Sequence, residues 1–428
     1  MLSPRVFQPM AGHATSTTAN ITMGAPFKVL NFRTRRPLHS LRYRFILVVL
    51  ILCLVQQQRL FFIYRKALAA KYSPTIFDTK FGRIESRLPS VDKNLNLQKD
   101  LIENRSSWQV LGSGWEGTTF TYKDVVIKTF TPGTSPFRNC ALGEPHSKWP
   151  TEIPASLYFG NLMASGIANT SSSQSGFLPV EAHFLAPATP GSDPEWHLVT
   201  PFLPEGNLKT LSKKLRKTHD SKMSAELDIV YRPAFHRLLR TLDSMHRAGF
   251  CHDDIKPDNI FVRDDAHWVL GDLGNVRHVS HPYHSSRLWV NNKQLDDCRA
   301  NDAVRALKSY LSFLRSASND KAAFDAEFFE RRVPFSKLFW STITDSLTLT
   351  AENLHTRSSA DSLSTASVLN APDTSSFPVS HSGAPLMSMF RKHQLEKEVK
   401  RALRMSLSEG LSRTIGMTRI FGVPEIPC

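Results

Sequence analysis

Apolar and polar positions fall into several distinct textures along the chain. Phe45 to Val55 is an unbroken apolar run; Gln56-Gln57-Gln58-Arg59 interrupts it, and Leu60 to Tyr64 resumes it. As a helix, the stretch 43–64 would be about 33 Å long at the usual rise per residue, enough to cross the hydrocarbon core of a bilayer. Arg59 opposes this, by roughly 2.5–3.5 kcal/mol at a membrane centre and less near an end.

A different texture begins near residue 107. Gln109-Val110-Leu111 leads into Gly112-Ser113-Gly114-Trp115-Glu116-Gly117, and Thr118 to Tyr122 and Val125 to Phe130 follow around Lys123-Asp124. Alternation and β-branched content predict strand, glycine turn, strand, tight turn, strand. Phe235, Leu238, Leu239, Leu242 and Met245 lie on one helical face, and Gly249 follows as a helix stop. Cys251 to Val262 is a polar loop, and Trp268 to Leu270 is a short strand ending near Asp272. Asp302 to Leu314 is again helical in pattern, and two more helices are expected within 322–340. Residues 341–385 hold 18 Ser or Thr, which predicts a flexible linker. Beyond it Leu395, Val399, Leu403, Leu407 and Leu411 recur every four residues among Lys and Arg. Such a basic amphipathic helix suits an anionic membrane or a partner, or packing on the body of the chain.

Charge changes the picture at one end only. The net charge is +15, yet residues 1–77 carry eleven Lys or Arg and no Asp or Glu. The remainder, with 42 basic and 38 acidic residues, is nearly neutral, so no nucleic-acid-binding surface is implied. Three readings of the arm stand: a membrane-anchored helix, an Arg-rich organelle transit sequence (mitochondrial), or a helix packed on a cytoplasmic protein. Six basic residues lie between Lys28 and Arg44 and four between Arg59 and Lys71, a bias toward an inside N-terminus. With a spanning helix, that orientation sets the rest of the chain away from cytosolic ATP. Five Cys without metal-ligand spacing, an odd number, argue against a fully paired disulfide framework and predict a reducing compartment.

The motifs carry a resemblance. LGSGWEG is similar to the glycine-rich loop of protein kinases, VVIK to their strand-three lysine motif, HDDIKPDN to their catalytic loop and GDLG to their metal-binding DFG. All four occur in family order within about 107–340. The stretch from Leu198 to Leu211 also resembles the family's hinge and first helix of the large lobe. A lone GxGxxG is a weak signal, and strands after it argue against a dinucleotide-binding unit. The resemblance implies an α+β, two-lobed kinase-like fold with a β-rich N-lobe and a helical C-lobe.

It also implies residue roles. Gly112, Gly114 and Gly117 would let backbone N–H groups approach ATP phosphates. Lys128 would hold the α and β phosphates, with Glu152 as its carboxylate partner or Glu144 as the alternative. Asn259 and Asp272 offer hard oxygen ligands to Mg²⁺. Asp254 would orient the acceptor hydroxyl and take its proton, and Lys256 would reach the transferred group; a lysine there resembles serine/threonine-type loops. Pro201 would offer its carbonyl, and Leu203 its amide, to adenine.

Three departures stand out. The arginine of HRD is Asp253, which would repel an activation-segment phosphate, so activity independent of phosphorylation there is expected. No APE follows GDLG, and Arg277, His278, His281, His284 and Arg287 form a basic patch instead. The C-lobe is short.

The domains expected are a basic arm at 1–77, a linker at 78–106, a kinase-like domain at 107–340, a Ser/Thr-rich linker at 341–385 and a basic helical tail at 386–428. The function expected is ATP- and Mg²⁺-dependent phosphorylation of protein Ser or Thr by a single-pass membrane protein anchored through 43–64. A small-molecule phosphotransferase and a membrane-tethered pseudokinase scaffold are the alternatives.

Overall fold

The computed structural model describes residues 37–77, 91–114, 117–130, 139–142, 148–164, 176–189, 191–217, 223–368, 385–405 and 407–416. Glu144, the alternative lysine partner, and Trp115 at the tip of the glycine turn lie outside these residues. The chain divides into two compact units, Met1–Gln57 and Gln58–Cys428.

Helix α1 (Pro37–Lys71) runs from the first unit into the second. Phe45 to Leu52, Leu54 and Val55 are exposed, whereas Phe61, Ala67, Leu68 and, just beyond the helix, Tyr72 are buried. It is the one helix among the described residues long and apolar enough to cross a membrane by length and composition. About the last quarter of the expected arm therefore belongs to the second unit. Its apolar positions are spent on packing: Ala67, Leu68 and Tyr72 cluster with Cys251, Tyr283, Leu288, Trp289 and Cys298.

In the second unit the small lobe is a five-stranded antiparallel sheet. β1 (Gln109–Ser113), β2 (Gly117–Tyr122) and β3 (Val125–Phe130) form successive hairpins. β4 (Cys140–Leu142) and β5 (Lys148–Pro150) make a separate ribbon. β6 (Ala182–Pro187) and β7 (Pro194–Pro201) complete the order β1-β2-β3-β7-β6. Alternation along β3 sends Ile127 toward Leu101, Trp108, Ala182, Phe184 and Val199. Leu101 lies on α2 (Val91–Glu103), inside the stretch expected to be a linker. Its apolar stripe, with Leu97 beside Leu101, is buried against the sheet.

Helix α3 (Glu152–Ala164) joins the lobes despite Pro154. That proline is in the first turn, where its missing N–H would have had no helical partner.

The large lobe is built on α4 (Leu208–Lys217), α5 (Ser224–Arg247) and, further on, α7 (Cys298–Ala317). All five positions of the expected α5 face are buried in one core with Tyr310, Leu311 and Leu314. The helix starts upstream of that face and carries Pro233 inside it, because Leu227, Tyr231 and Ala234 extend the buried stripe through the break. Between α5 and α7 run β8 (Phe250–Cys251), β9 (Ile260–Asp264), β10 (His267–Leu270), β11 (Arg277–His278) and α6 (Arg287–Asn291). α8 (Lys321–Glu330) and α9 (Pro334–Thr344) follow.

Two expectations need correction, and one alternative left open is decided. The Ser/Thr-rich stretch holds α10 (Ala351–Val368), and Leu349, Ala351 and Leu354 enter the core. The Ser and Thr composition hid three well-placed apolar residues. The tail, with α11 (Pro385–Ala402) and α12 (Gly410–Gly416), packs back on the body through Val399 and Leu403. Finally, Cys251 and Cys298 are joined in a disulfide, Cys140 is also disulfide-bonded, and Cys53 is free. Disulfides persist in oxidising compartments, so the reducing environment expected from the odd count does not fit.

Candidate active site

The cleft between sheet and helices brings separated charges together. Lys128 Nζ on β3 pairs with Glu152 Oε2 at the start of α3 and lies 3.0 Å from Asp272 Oδ1. The Lys128 charge, working against the cost of burial, and then Lys256 and His252 hold the Asp272 carboxyl below its usual range, so it is anionic at neutral pH. Asp272 has φ +53°, a left-handed backbone that an aspartate tolerates at some cost.

The catalytic-loop segment is fixed from below. His252 Nε2 lies 3.1 Å from the Gly271 carbonyl, and Gly271 N–H donates to Asn259 O at 3.0 Å. Lys256 Nζ donates to Asp254 Oδ2 at 2.7 Å. Burial opposes the Lys256 charge, but Asp254 outweighs it and raises the ammonium pKa. Asn259 Nδ2 donates to Asp254 O and Oδ2 at 2.9 and 3.2 Å. Its Oδ1 is therefore the atom left to face a metal. Asp272 and Asn259 supply oxygens only, a donor set that fits Mg²⁺.

Above the cleft, Gly114 N–H donates to Gly117 O at 2.9 Å and closes the glycine turn. A Cβ at Gly117 would collide with the Thr129 carbonyl oxygen, whereas one at Gly112 would meet open space. Pro201 pairs with Val125 at the end of β7, and Leu203 O accepts from Gly206 N–H at 2.9 Å, which turns the chain toward α4.

Sequence reasoning missed two features. Asp302, fully buried near the start of α7, accepts from the N–H groups of His252 and Asp253 at 2.6 and 3.0 Å. The signal available was an acidic residue at the start of a helix whose apolar spacing predicts burial. The second feature is the fate of Asp253. Its Oδ2 meets Arg277 Nη1 at 3.2 Å and His284 Nε2 at 2.9 Å, and Arg305 donates to its carbonyl. Burial alone would raise this carboxyl; the His284 hydrogen bond and charge, then Arg277 and Arg305, hold it down to about 2. The expected basic patch is accordingly split: Arg277, His281 and His284 are buried, whereas His278 and Arg287 are exposed. Arg277 also donates to Lys71 O and to Asn139 Oδ1.

A sheet-topped lobe, a helical lobe and an acid-lined cleft between them define an α+β protein-kinase fold. A family model described as protein kinase domain matches residues 189–294. Similar proteins include a probable serine/threonine-protein kinase of Dictyostelium discoideum, 31% identical over 21% of this chain and 6% of its own length. Others are the serine/threonine-protein kinases CBK1 of Yarrowia lipolytica, 33% identical over 24% of this chain and 15% of its own, and UCNL of Arabidopsis thaliana, 25% identical over 42% and 40%. The chain thus spans well under half the length of these relatives. Over these stretches it is similar to the protein kinase superfamily.

Proposed function

We propose that the chain is an ATP- and Mg²⁺-dependent phosphotransferase acting on hydroxyl groups. The convergence of Lys128, Glu152, Asp272, Asn259 and Asp254 in one cleft carries this reading. Phosphoryl transfer asks for positioning and charge neutralisation rather than covalent help from the protein. Bound at Asp272 and Asn259, Mg²⁺ would neutralise the phosphate charge. Lys128, held by Glu152, clamps the α and β phosphates, and the glycine turn offers N–H groups from above. Pro201 and Leu203 present backbone groups to adenine. Asp254 orients the acceptor hydroxyl and takes its proton, while Lys256 keeps that carboxylate in place and reaches the transferred group.

The named relatives make serine and threonine the reference acceptors. A small-molecule phosphotransferase is a second reading, favoured by a cavity of about 570 Å³ lined by Asp254, Lys256, Lys71 and Glu409. Since Asp253 Oδ2 already meets Arg277 and His284, activity does not wait on an activation-segment phosphate.

For location, we infer that α1 spans a membrane and that the catalytic unit lies on its oxidising side. The exposed apolar run, the basic residues ahead of it and the disulfides support this jointly. ATP must then be supplied in that compartment. The test of function is transfer of labelled γ-phosphate by wild type and Asp254→Ala. Transfer lost about 10²–10⁴-fold in the variant, the usual weight of a catalytic acid–base group, supports the reading. Equal transfer by both proteins contradicts it.

A further inference from the structure

Three Asn-X-Ser/Thr triplets occur in the chain: Asn20-Ile21-Thr22 ahead of α1, and Asn104-Arg105-Ser106 and Asn169-Thr170-Ser171 after it. Such a triplet, with X other than proline, is the acceptor pattern for N-linked oligosaccharide on chains that enter the secretory route. Asn20 and Asn169 lie outside the described residues. Asn104 lies directly after α2. Its N–H donates to Asp100 O at 3.1 Å and closes the last turn of that helix, and the chain then bends through a single 3-10 turn, Arg105–Ser107.

The middle residue of the triplet is the anchor. Arg105 pairs with Glu195, its Nη1 lies 3.1 Å from His197 Nε2, and its guanidinium sits 4.9 Å from the Trp108 ring centre. The two residues that the modification uses are left toward solvent: Ser106 is exposed and Asn104 half-buried. Asn104 Nδ2 donates to Asp100 O and Oδ1 at 2.9 and 3.0 Å. A glycosylated amide nitrogen keeps one of its two hydrogens, so one of these contacts survives. The position also leaves the cleft free. Successive residues of a strand face opposite sides of a sheet. Ile127 packs with Leu101 of α2, so Lys128, next along β3, faces the other way, toward Glu152 and Asp272. A bulky group at the end of α2 stands on the sheet face away from the catalytic charges.

We propose that Asn104 carries an N-linked glycan. The proposal rests on the location reading, in which the catalytic unit lies on the oxidising side of α1, and it narrows that side to the lumen of the secretory route. The donor is an oligosaccharide carried on a lipid diphosphate. Asn104 Nδ2 bonds to the anomeric carbon as the bond from that carbon to the phosphate oxygen breaks. The lipid diphosphate leaves with the bonding electron pair, and the proton lost from Nδ2 passes to a base of the transferase.

The test expresses the full-length protein in a eukaryotic cell. Peptide N-glycosidase in heavy-oxygen water turns a glycosylated Asn into a labelled Asp, which peptide mass locates. The label is expected at Asn104. On gels, one glycosidase-sensitive step should be lost in Asn104→Gln and in Ser106→Ala and regained in Ser106→Thr. Ser106→Ala removes no contact with Asp100, which separates loss of the glycan from misfolding. A step that persists in both loss variants overturns the proposal. Label at Asn169 without Asn104 overturns it and leaves the location reading standing. Label at Asn20 alone overturns both, because the basic arm and not the catalytic unit would then be lumenal. With no label anywhere the glycan is refuted, and protease treatment of sealed vesicles decides the location: a protected catalytic unit keeps that reading, and a digested one removes it as well.

Discussion

Asp253 shows how one residue can invert a regulatory arrangement. In the family this position carries a cation that meets a phosphate; here the anion is built into the loop and the cations, Arg277 and His284, come from the segment that follows. The contact is therefore permanent, and its dependence on pH follows from the two shifts. Asp253 is held down to about 2 from 3.8, so its contribution is present above the ordinary carboxylate range and is lost as pH falls toward 2. His284 is raised above 6.5: burial opposes its charge, but the Asp253 hydrogen bond and charge outweigh it. Its contribution is complete below 6.5 and is lost as pH rises through the raised value. Thermal melts should show wild type losing stability above the ordinary imidazole range by more than His284→Gln does. Asp253→Ala strands Arg277 in a buried site and should cost about 3–5 kcal/mol. A cost under about 1 kcal/mol would show that the cations are solvated.

At the scale of elements, the disulfide ties β8, which leads into the catalytic loop, to the start of α7, which holds that loop through Asp302. Cross-linking over 47 residues should stabilise by about 2–4 kcal/mol. Cys298→Ser should lower the melting temperature accordingly, and wild type should gain two alkylatable thiols per bond only after reduction. Full alkylation without reductant would contradict the bond. The three hairpin strands, α5 and the catalytic loop were legible because their information is local: alternation, helical spacing, and HDDIKPDN in one contiguous run. The Cys251–Cys298 pairing, the union of Asp253 with residues 24 and 31 positions later, and the docking of 403–409 beside Lys71 were not legible. Each depends on long-range geometry that no window of sequence contains. The linker expectations failed because composition outvoted a few apolar residues, Leu101, Leu349 and Leu354, that tertiary packing uses.

For the whole molecule, a long apolar helix precedes a body with buried disulfide bonds. A spanning α1 should make the protein resist carbonate extraction. In sealed vesicles the catalytic unit should be protected from added protease while the basic N-terminal residues are digested. Release by carbonate would remove the span, and digestion of the catalytic unit in intact vesicles would reverse the orientation. The account's central claim, though, concerns the cleft, where Asp254, Asn259 and Asp272 must hold divalent ions and a triphosphate together. Calorimetric titration of ATP into wild type and Asp272→Asn, with and without Mg²⁺, tests it most directly. Wild type should bind ATP at least about tenfold more tightly with Mg²⁺, a difference of roughly 1.4 kcal/mol, and the variant should lose that gain. Equal affinity in all four titrations would contradict the account.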